Sequence, residues 1–161
     1  MSKNLVLYFS VYGTAKKVAE EIGKQTDADV VEIIPSVPYD SNRDHYNALA
    51  RLAKKEHDED QRPAIQNKID IAGYENIFIG YPMWWYTFPM ILYTLFDEYD
   101  FSGKTIIPFN THMGSGDGGT YETIRKLEPK AKILKGLPVE MNEAENGAKA
   151  SVQRWIASLG L

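Results

Sequence analysis

Three short stretches of this sequence carry residue types suited to holding a flat, anionic ligand. The first is Ser10-Val-Tyr-Gly-Thr-Ala15, which follows an apolar run at Asn4–Phe9 and precedes a helical pattern. The start of a helix presents unpaired backbone N–H groups and the positive end of its dipole, so it seats anions. Ser10 and Thr14 offer hydroxyl donors, and Gly13 lets the backbone approach closely. The loop contains no Lys or Arg. That suits a phosphate monoester held by N–H groups and hydroxyls better than a transferable triphosphate. Helix capping uses the same residue types, so an ordinary capped turn reads equally well here.

The second stretch is Tyr81-Pro-Met-Trp-Trp-Tyr-Thr-Phe-Pro89, again following an apolar strand pattern. Loops at a sheet edge are normally polar, so this density of Trp and Tyr asks for a reason. Stacking on a planar aromatic ligand is one, with Pro82 and Pro89 stiffening the loop. Covering the core or a subunit interface is the other. The third stretch is Asn110-Thr-His-Met-Gly-Ser-Gly-Asp-Gly-Gly119, whose glycines expose backbone donors and acceptors able to read a heterocycle's edge. Residues 114–119 fit G-x-G-x-x-G, but the dinucleotide fingerprint belongs to a first strand–helix turn. Loop flexibility and edge contacts are the better reading. His112 either donates a proton near the ligand or points to solvent while its backbone N–H binds.

These loops must be positioned by a regular alternation of elements. Strand patterns are expected at Leu5–Phe9, Asp29–Ile34, Ile77–Tyr81, Thr105–Phe109 and Lys132–Leu134. Helical patterns are expected at Ala15–Gln25, Arg43–His57, Pro89–Tyr99, Gly119–Leu127 and Ala148–Leu159. Such alternation predicts an α/β fold with a parallel sheet covered by helices on both faces. The continuously apolar strands agree, because parallel strands are buried on both sides. Ligands of such sheets sit beyond the carboxyl ends of the strands, which is where the three stretches fall.

Composition narrows the function classes. The 161 residues are expected to form one domain, 1–161, with apolar and charged fractions of 43% and 25%. A net charge of −4 argues against a nucleic-acid surface. With no cysteine, disulfides, thiolate chemistry and Cys-ligated metal sites are excluded. No stretch approaches the roughly 20 apolar residues of a membrane span. A first strand beginning near residue 4 leaves no room for a signal peptide, so a cytoplasmic location is expected. His57-Asp-Glu-Asp60 reads as a solvated surface rather than a metal cluster, and no metal is expected. His45 lies in the same charged stretch.

One phosphate seat, one stacking loop and one edge-reading loop together describe flavin mononucleotide, FMN. At this point the chain resembles the flavodoxins, specifically the flavodoxin-like group with a Pro-x-Trp-Trp loop. The resemblance covers essentially the whole chain and is most specific at Gly80-Tyr-Pro-Met-Trp-Trp85 and Asp100–His112. It implies a three-layer sandwich around a five-stranded parallel sheet of order 2-1-3-4-5, with FMN at the carboxyl edge. By that resemblance Ser10, Tyr12, Gly13, Thr14 and Ala15 hold the phosphate. Pro82, Met83, Trp84, Trp85 and Tyr86 line the ring, and Thr111, His112, Gly116 and Gly119 lie near its other edge.

The resemblance implies an electron carrier between a reductase and acceptor proteins, a monomer or weak homodimer with no catalytic residue of its own. The alternative is an FMN-dependent NAD(P)H oxidoreductase acting on quinones or similar small acceptors. Two departures lean that way. Tyr12 stands where related sequences carry a small hydroxyl residue, and Tyr86 where the group often has Gly. Asp97-Glu-Tyr-Asp100 is either a dock for a basic redox partner or a plain exposed helix end. The polar segment 39–64 is long for a connection and reads as a lid or a docking surface, with Tyr39 and Tyr46 available to lie over the ring.

Overall fold

The computed structural model describes residues 3–161, so the domain expected over 1–161 is described except for Met1 and Ser2, which lie outside the described residues. Strands and helices alternate as β1 (Asn4–Tyr8), α1 (Thr14–Thr26), β2 (Asp29–Glu32), α2 (Tyr46–Asp58), β3 (Asn76–Pro82), α3 (Met90–Glu98), β4 (Thr105–His112), α4 (Thr120–Leu127), β5 (Lys132–Ile133), β6 (Leu137–Glu140), α5 (Met141–Ala144) and α6 (Lys149–Leu159). All strand pairs are parallel, in the order β2-β1-β3-β4-β5, and β6 also pairs with β4. This is the expected order.

Two details differ from expectation. The fifth position in the sheet is filled by two short strands, β5 beside the start of β4 and β6 beside its end. Between the pairs Ile106–Ile133 and Phe109–Leu137, Leu134, Lys135 and Gly136 face only Ile107 and Pro108. Pro108 explains the bulge. Ile106 bonds toward the fifth position through its carbonyl, and Thr111 bonds toward β3. Strand alternation therefore turns Pro108 toward the fifth position, where it has no N–H to give. Within the bulge, the Lys135 carbonyl accepts from Trp155 Nε1 at 2.8 Å.

The second difference concerns β4, which runs to His112 rather than ending at Phe109. Asn110, Thr111 and His112 are polar and read as loop, yet all three pair with β6, and Asn110 and Thr111 also pair with β3. The irregular loop starts at Met113.

The sheet separates two cores. Leu5, Leu7 and Phe9 face one way and pack with Ile91, Leu92 and Leu95 of α3 and Ile124 of α4. Val6 and Tyr8 face the other way and pack with Val18 and Ile22 of α1 and Val152 and Trp155 of α6. The odd–even division is the period of a strand buried on both faces. Helix α2 belongs to neither cluster, although its Leu49 and Ala53 are buried. Among the described residues no helix is long and apolar enough to cross a membrane.

Candidate functional site

The β1–α1 turn is built as a bare helix start. Gly13 takes a left-handed conformation, φ +87°, which a side chain makes costly, and α1 begins with no side-chain cap. Ser10 Oγ accepts the Gly13 N–H at 3.0 Å, one residue short of the helix, and its own hydroxyl proton remains available to an outside acceptor. Thr14 and Ala15 are buried as the first residues of α1. The Tyr12 hydroxyl is buried without a hydrogen-bond partner, and the Arg43 guanidinium lies 5.1 Å from its ring centroid. Burial pushes the Tyr12 phenol up, Tyr46 adds to this and Arg43 opposes it.

After β3 the chain makes a two-residue turn. Trp84 N–H donates to the Thr87 carbonyl at 2.8 Å and Thr87 N–H returns a bond at 3.1 Å. Trp85 and Tyr86 between them both have positive φ, +54° and +60°. This geometry normally takes Asn-Gly, so each large residue here is strained. Three contacts hold the turn. Trp85 Nε1 donates to the Ala50 carbonyl of α2 at 2.8 Å. The Trp84 ring meets Phe9 and Tyr39 edge-on, at 5.5 and 5.3 Å between centroids. Gly118 abuts the turn so closely that an added Cβ would lie 2.9 Å from the Tyr86 carbonyl oxygen.

The loop after β4 is tied from behind. Asn110, fully buried, donates through Nδ2 to the Gly116 carbonyl at 2.9 Å and accepts from the Tyr121 hydroxyl. Tyr81 and Thr120 share a hydroxyl bond of 2.6 Å, and Thr120 donates to the Asp117 carbonyl at 2.7 Å. Burial pushes the phenols of Tyr81 and Tyr121 up, so both remain neutral donors. His112 Nδ1 accepts the Gly114 N–H at 3.0 Å.

Between these loops and α2 lies a cleft of about 610 Å³, within the size range of small-molecule sites. Of the residues expected at a ligand, Tyr12, Pro82, Met83, Trp84, Trp85, Tyr86, Thr111 and His112 line it together. Ser10, Gly13, Thr14, Ala15, Gly116 and Gly119 do not. The first four form the turn that carries Tyr12, Gly116 faces Asn110, and Gly119 precedes α4 in a left-handed conformation. Ser10 also lines a smaller neighbouring cleft of about 270 Å³, with Phe9 and Tyr39.

The expected long helix of segment 39–64 divides into a 3-10 turn, Arg43–His45, and α2. Its Tyr46, Leu49, Ala50 and Ala53 form one wall of the cleft. The i, i+4 spacing of Leu49 and Ala53 was the available signal for this wall. Tyr39 contacts Trp84 rather than the cleft, and its hydroxyl donates to Glu56 at 2.8 and 3.0 Å. Burial raises the Glu56 carboxyl, and the bond from Tyr39 opposes the shift. Asn110 and Tyr121 were also not singled out. A lone Asn closing an apolar strand was their one sequence trace.

With this geometry in place, the sequence model of the flavodoxin family matches residues 3–159. The chain belongs to the flavodoxin family. A candidate flavoprotein of Bacteroides eggerthii is 30% identical over 100% of this chain and 99% of its own, with a TM-score of 0.84. A Lactobacillus acidophilus flavoprotein in complex with FMN is 22% identical, covering 92% of this chain and 100% of its own, with a TM-score of 0.72. A flavodoxin, WrbA-like protein of Agrobacterium tumefaciens shares the fold at 13% identity and a TM-score of 0.56, covering 95% and 94%. No curated protein matches the chain.

Proposed function

We propose that this flavodoxin-family chain is a single domain that binds FMN and carries electrons between a reductase and acceptor proteins. The observation that carries the reading is the Tyr12 hydroxyl, buried without a partner where the uncapped start of α1 meets the aromatic cleft. A buried orphan hydroxyl costs about 1–3 kcal/mol, which a ligand oxygen beside it would relieve. The residues present fit FMN. Ser10, Tyr12, Gly13, Thr14 and Ala15 would hold its phosphate. Pro82, Met83, Trp84, Trp85 and Tyr86 would line the ring, with Thr111, His112, Gly116 and Gly119 toward its far edge. Bound there, FMN supplies reversible storage of one or two electrons. The chain's own work is to stack the ring, exclude water and hold the loops still.

An NAD(P)H oxidoreductase is favoured by Tyr86, which stands at +60° in the turn where the group often has Gly. Against it, no Lys or Arg lines the cleft among the described residues, so a dinucleotide's pyrophosphate would meet no positive side chain in its walls. Titration of apoprotein into FMN tests the binding. Fluorescence should quench at one equivalent, with a much weaker effect from riboflavin, and Trp85→Ala should weaken FMN by about 1–3 kcal/mol. No quenching removes the flavin reading. Rapid oxidation of NADPH by holoprotein and a quinone, without a reductase, would favour the enzyme.

A further inference from the structure

The Ser10–Ala15 turn offers hydroxyls and backbone donors but has no cation in its own loop. Lys17 N–H is the first to bond within α1, to the Gly13 carbonyl at 3.2 Å, which leaves the earlier N–H groups to an outside acceptor. A phosphate monoester brings about −1.5 to −2 charge at neutral pH, more than the roughly half charge of a helix start offsets. One cation reaches this turn from far along the chain. The Arg43 guanidinium lies 5.1 Å from the ring centroid of Tyr12, the residue whose hydroxyl is buried without a partner.

The backbone that carries Arg43 is fixed, whereas its side chain is held loosely. Asp40 accepts from Asn42 N–H at 2.9 Å and meets His45 Nδ1 at 2.6 Å. Asn42 in turn caps the 3-10 turn by accepting from Asp44 N–H at 3.0 Å. The one ion pair of Arg43, to Glu145 at 3.3 Å, joins side chains that are 56% and 42% exposed. Exposed pairs of this kind contribute little, so a better anion displaces them. Lys17, also close, is committed elsewhere, its Nζ donating to the Glu145 carbonyl at 3.1 Å. We propose that Arg43 is the counter-charge for the ligand's phosphate, and that binding exchanges its partner from the Glu145 carboxylate to the phosphate monoester. The inference rests on the FMN reading and adds to it a residue from outside the phosphate loop. A guanidinium suits the exchange, because its planar fork meets a phosphate with two parallel N–H bonds. Glu145 then serves as an internal competitor, holding the guanidinium beside the seat until a phosphate arrives.

The test is a pair of equilibrium titrations of apoprotein, with FMN and with riboflavin as probes, followed by flavin fluorescence. Arg43→Gln should weaken FMN about tenfold and leave riboflavin, which has no phosphate, within about twofold. Lys16 is an exposed cation on the first turn of α1 and controls for general charge. Lys16→Gln should leave FMN within about twofold. Glu145→Gln should tighten FMN about threefold, and that gain should vanish when Arg43→Gln is added. Unchanged FMN affinity in Arg43→Gln, an equal loss for riboflavin, or an equal loss in Lys16→Gln would overturn the assignment. No gain from Glu145→Gln, or a gain that survives without Arg43, would overturn the exchange. Failure of the unsubstituted protein to bind FMN would instead defeat the proposed function before any variant is compared.

Discussion

At the β1–α1 turn the left-handed position is taken by Gly13, with φ +87°; at the turn after β3 it is taken twice, by Trp85 and Tyr86. Both turns border one cleft through Tyr12, Trp85 and Tyr86. The glycine turn is unstrained and leaves bare backbone N–H groups, so under the proposed function it would address a ligand with its main chain. The Trp85–Tyr86 turn costs about 1–2 kcal/mol per residue and keeps two large rings at the cleft mouth. That cost is offset by the cross-turn pair of hydrogen bonds, the indole bond to Ala50 and the seat against Gly118. A turn that offers its backbone can dispense with side chains, whereas a turn that offers large rings on left-handed backbone needs the surrounding loops to hold it.

The comparison breaks most severely at Gly118, which belongs to the supporting loop. A Cβ there would lie 2.5 Å from Met83 Cε and 2.9 Å from the Tyr86 carbonyl oxygen, on a residue with φ +56°. Gly118→Ala should destabilise the fold by about 2–4 kcal/mol by chemical denaturation, with the Trp85 fluorescence altered. Native stability would show that the aromatic turn does not need that seat.

Gly13 and Tyr86 should respond with opposite signs. Nothing lies within 4 Å of a Cβ at Gly13, so Gly13→Ala carries backbone strain alone, about 1–2 kcal/mol of lost stability. Tyr86→Gly relieves a similar strain but adds about 0.5–1 kcal/mol of unfolded-chain entropy. The net gain should be up to about 1 kcal/mol, read as a raised Tm. A loss on Tyr86→Gly would mean that the exposed phenol ring packs usefully after all.

The smallest effect lies outside both turns and serves as a control. Glu128 closes α4, and burial, with the charge of Asp100 adding, raises its carboxyl from 4.5 to about 7. The folded state holds this proton more tightly than the unfolded chain does. Its stabilising contribution is complete below about pH 4.5 and is lost as pH rises through about 7. Glu128→Gln should flatten the fall in Tm over that window and leave the contrast between Gly13→Ala and Tyr86→Gly unchanged.

Much of the fold was legible because its signals are local. The apolar runs at β1 and β3 and the stripe Val18, Ala19 and Ile22 of α1 announce buried strands and an amphipathic helix wherever they occur. The three loops that meet at the cleft were visible for the same reason. Other features were hidden because their cause lies far off in sequence. Leu137–Glu140 is too short and mixed to read as a strand, and it becomes one by pairing with the end of β4. Asn110 reads as loop until Tyr121 and the Gly116 carbonyl satisfy its amide inside the protein. The acidic runs likewise looked available, yet Arg62 pairs with both Asp60 and Asp97, at 2.7 and 2.8 Å.

By itself the sequence determined the alternation of strands and helices, the hydroxyl-bearing Ser10–Ala15 turn and the aromatic loop after β3, since each is written in neighbouring residues. Tertiary structure alone decided that α2 walls the cleft and that Trp85 and Tyr86 occupy left-handed backbone. It also decided that the fifth strand breaks opposite Pro108 and that the His112 ring turns back to accept the Gly114 N–H. Those outcomes depend on which distant group supplies a hydrogen bond or a packing surface. Local propensity does not contain that information.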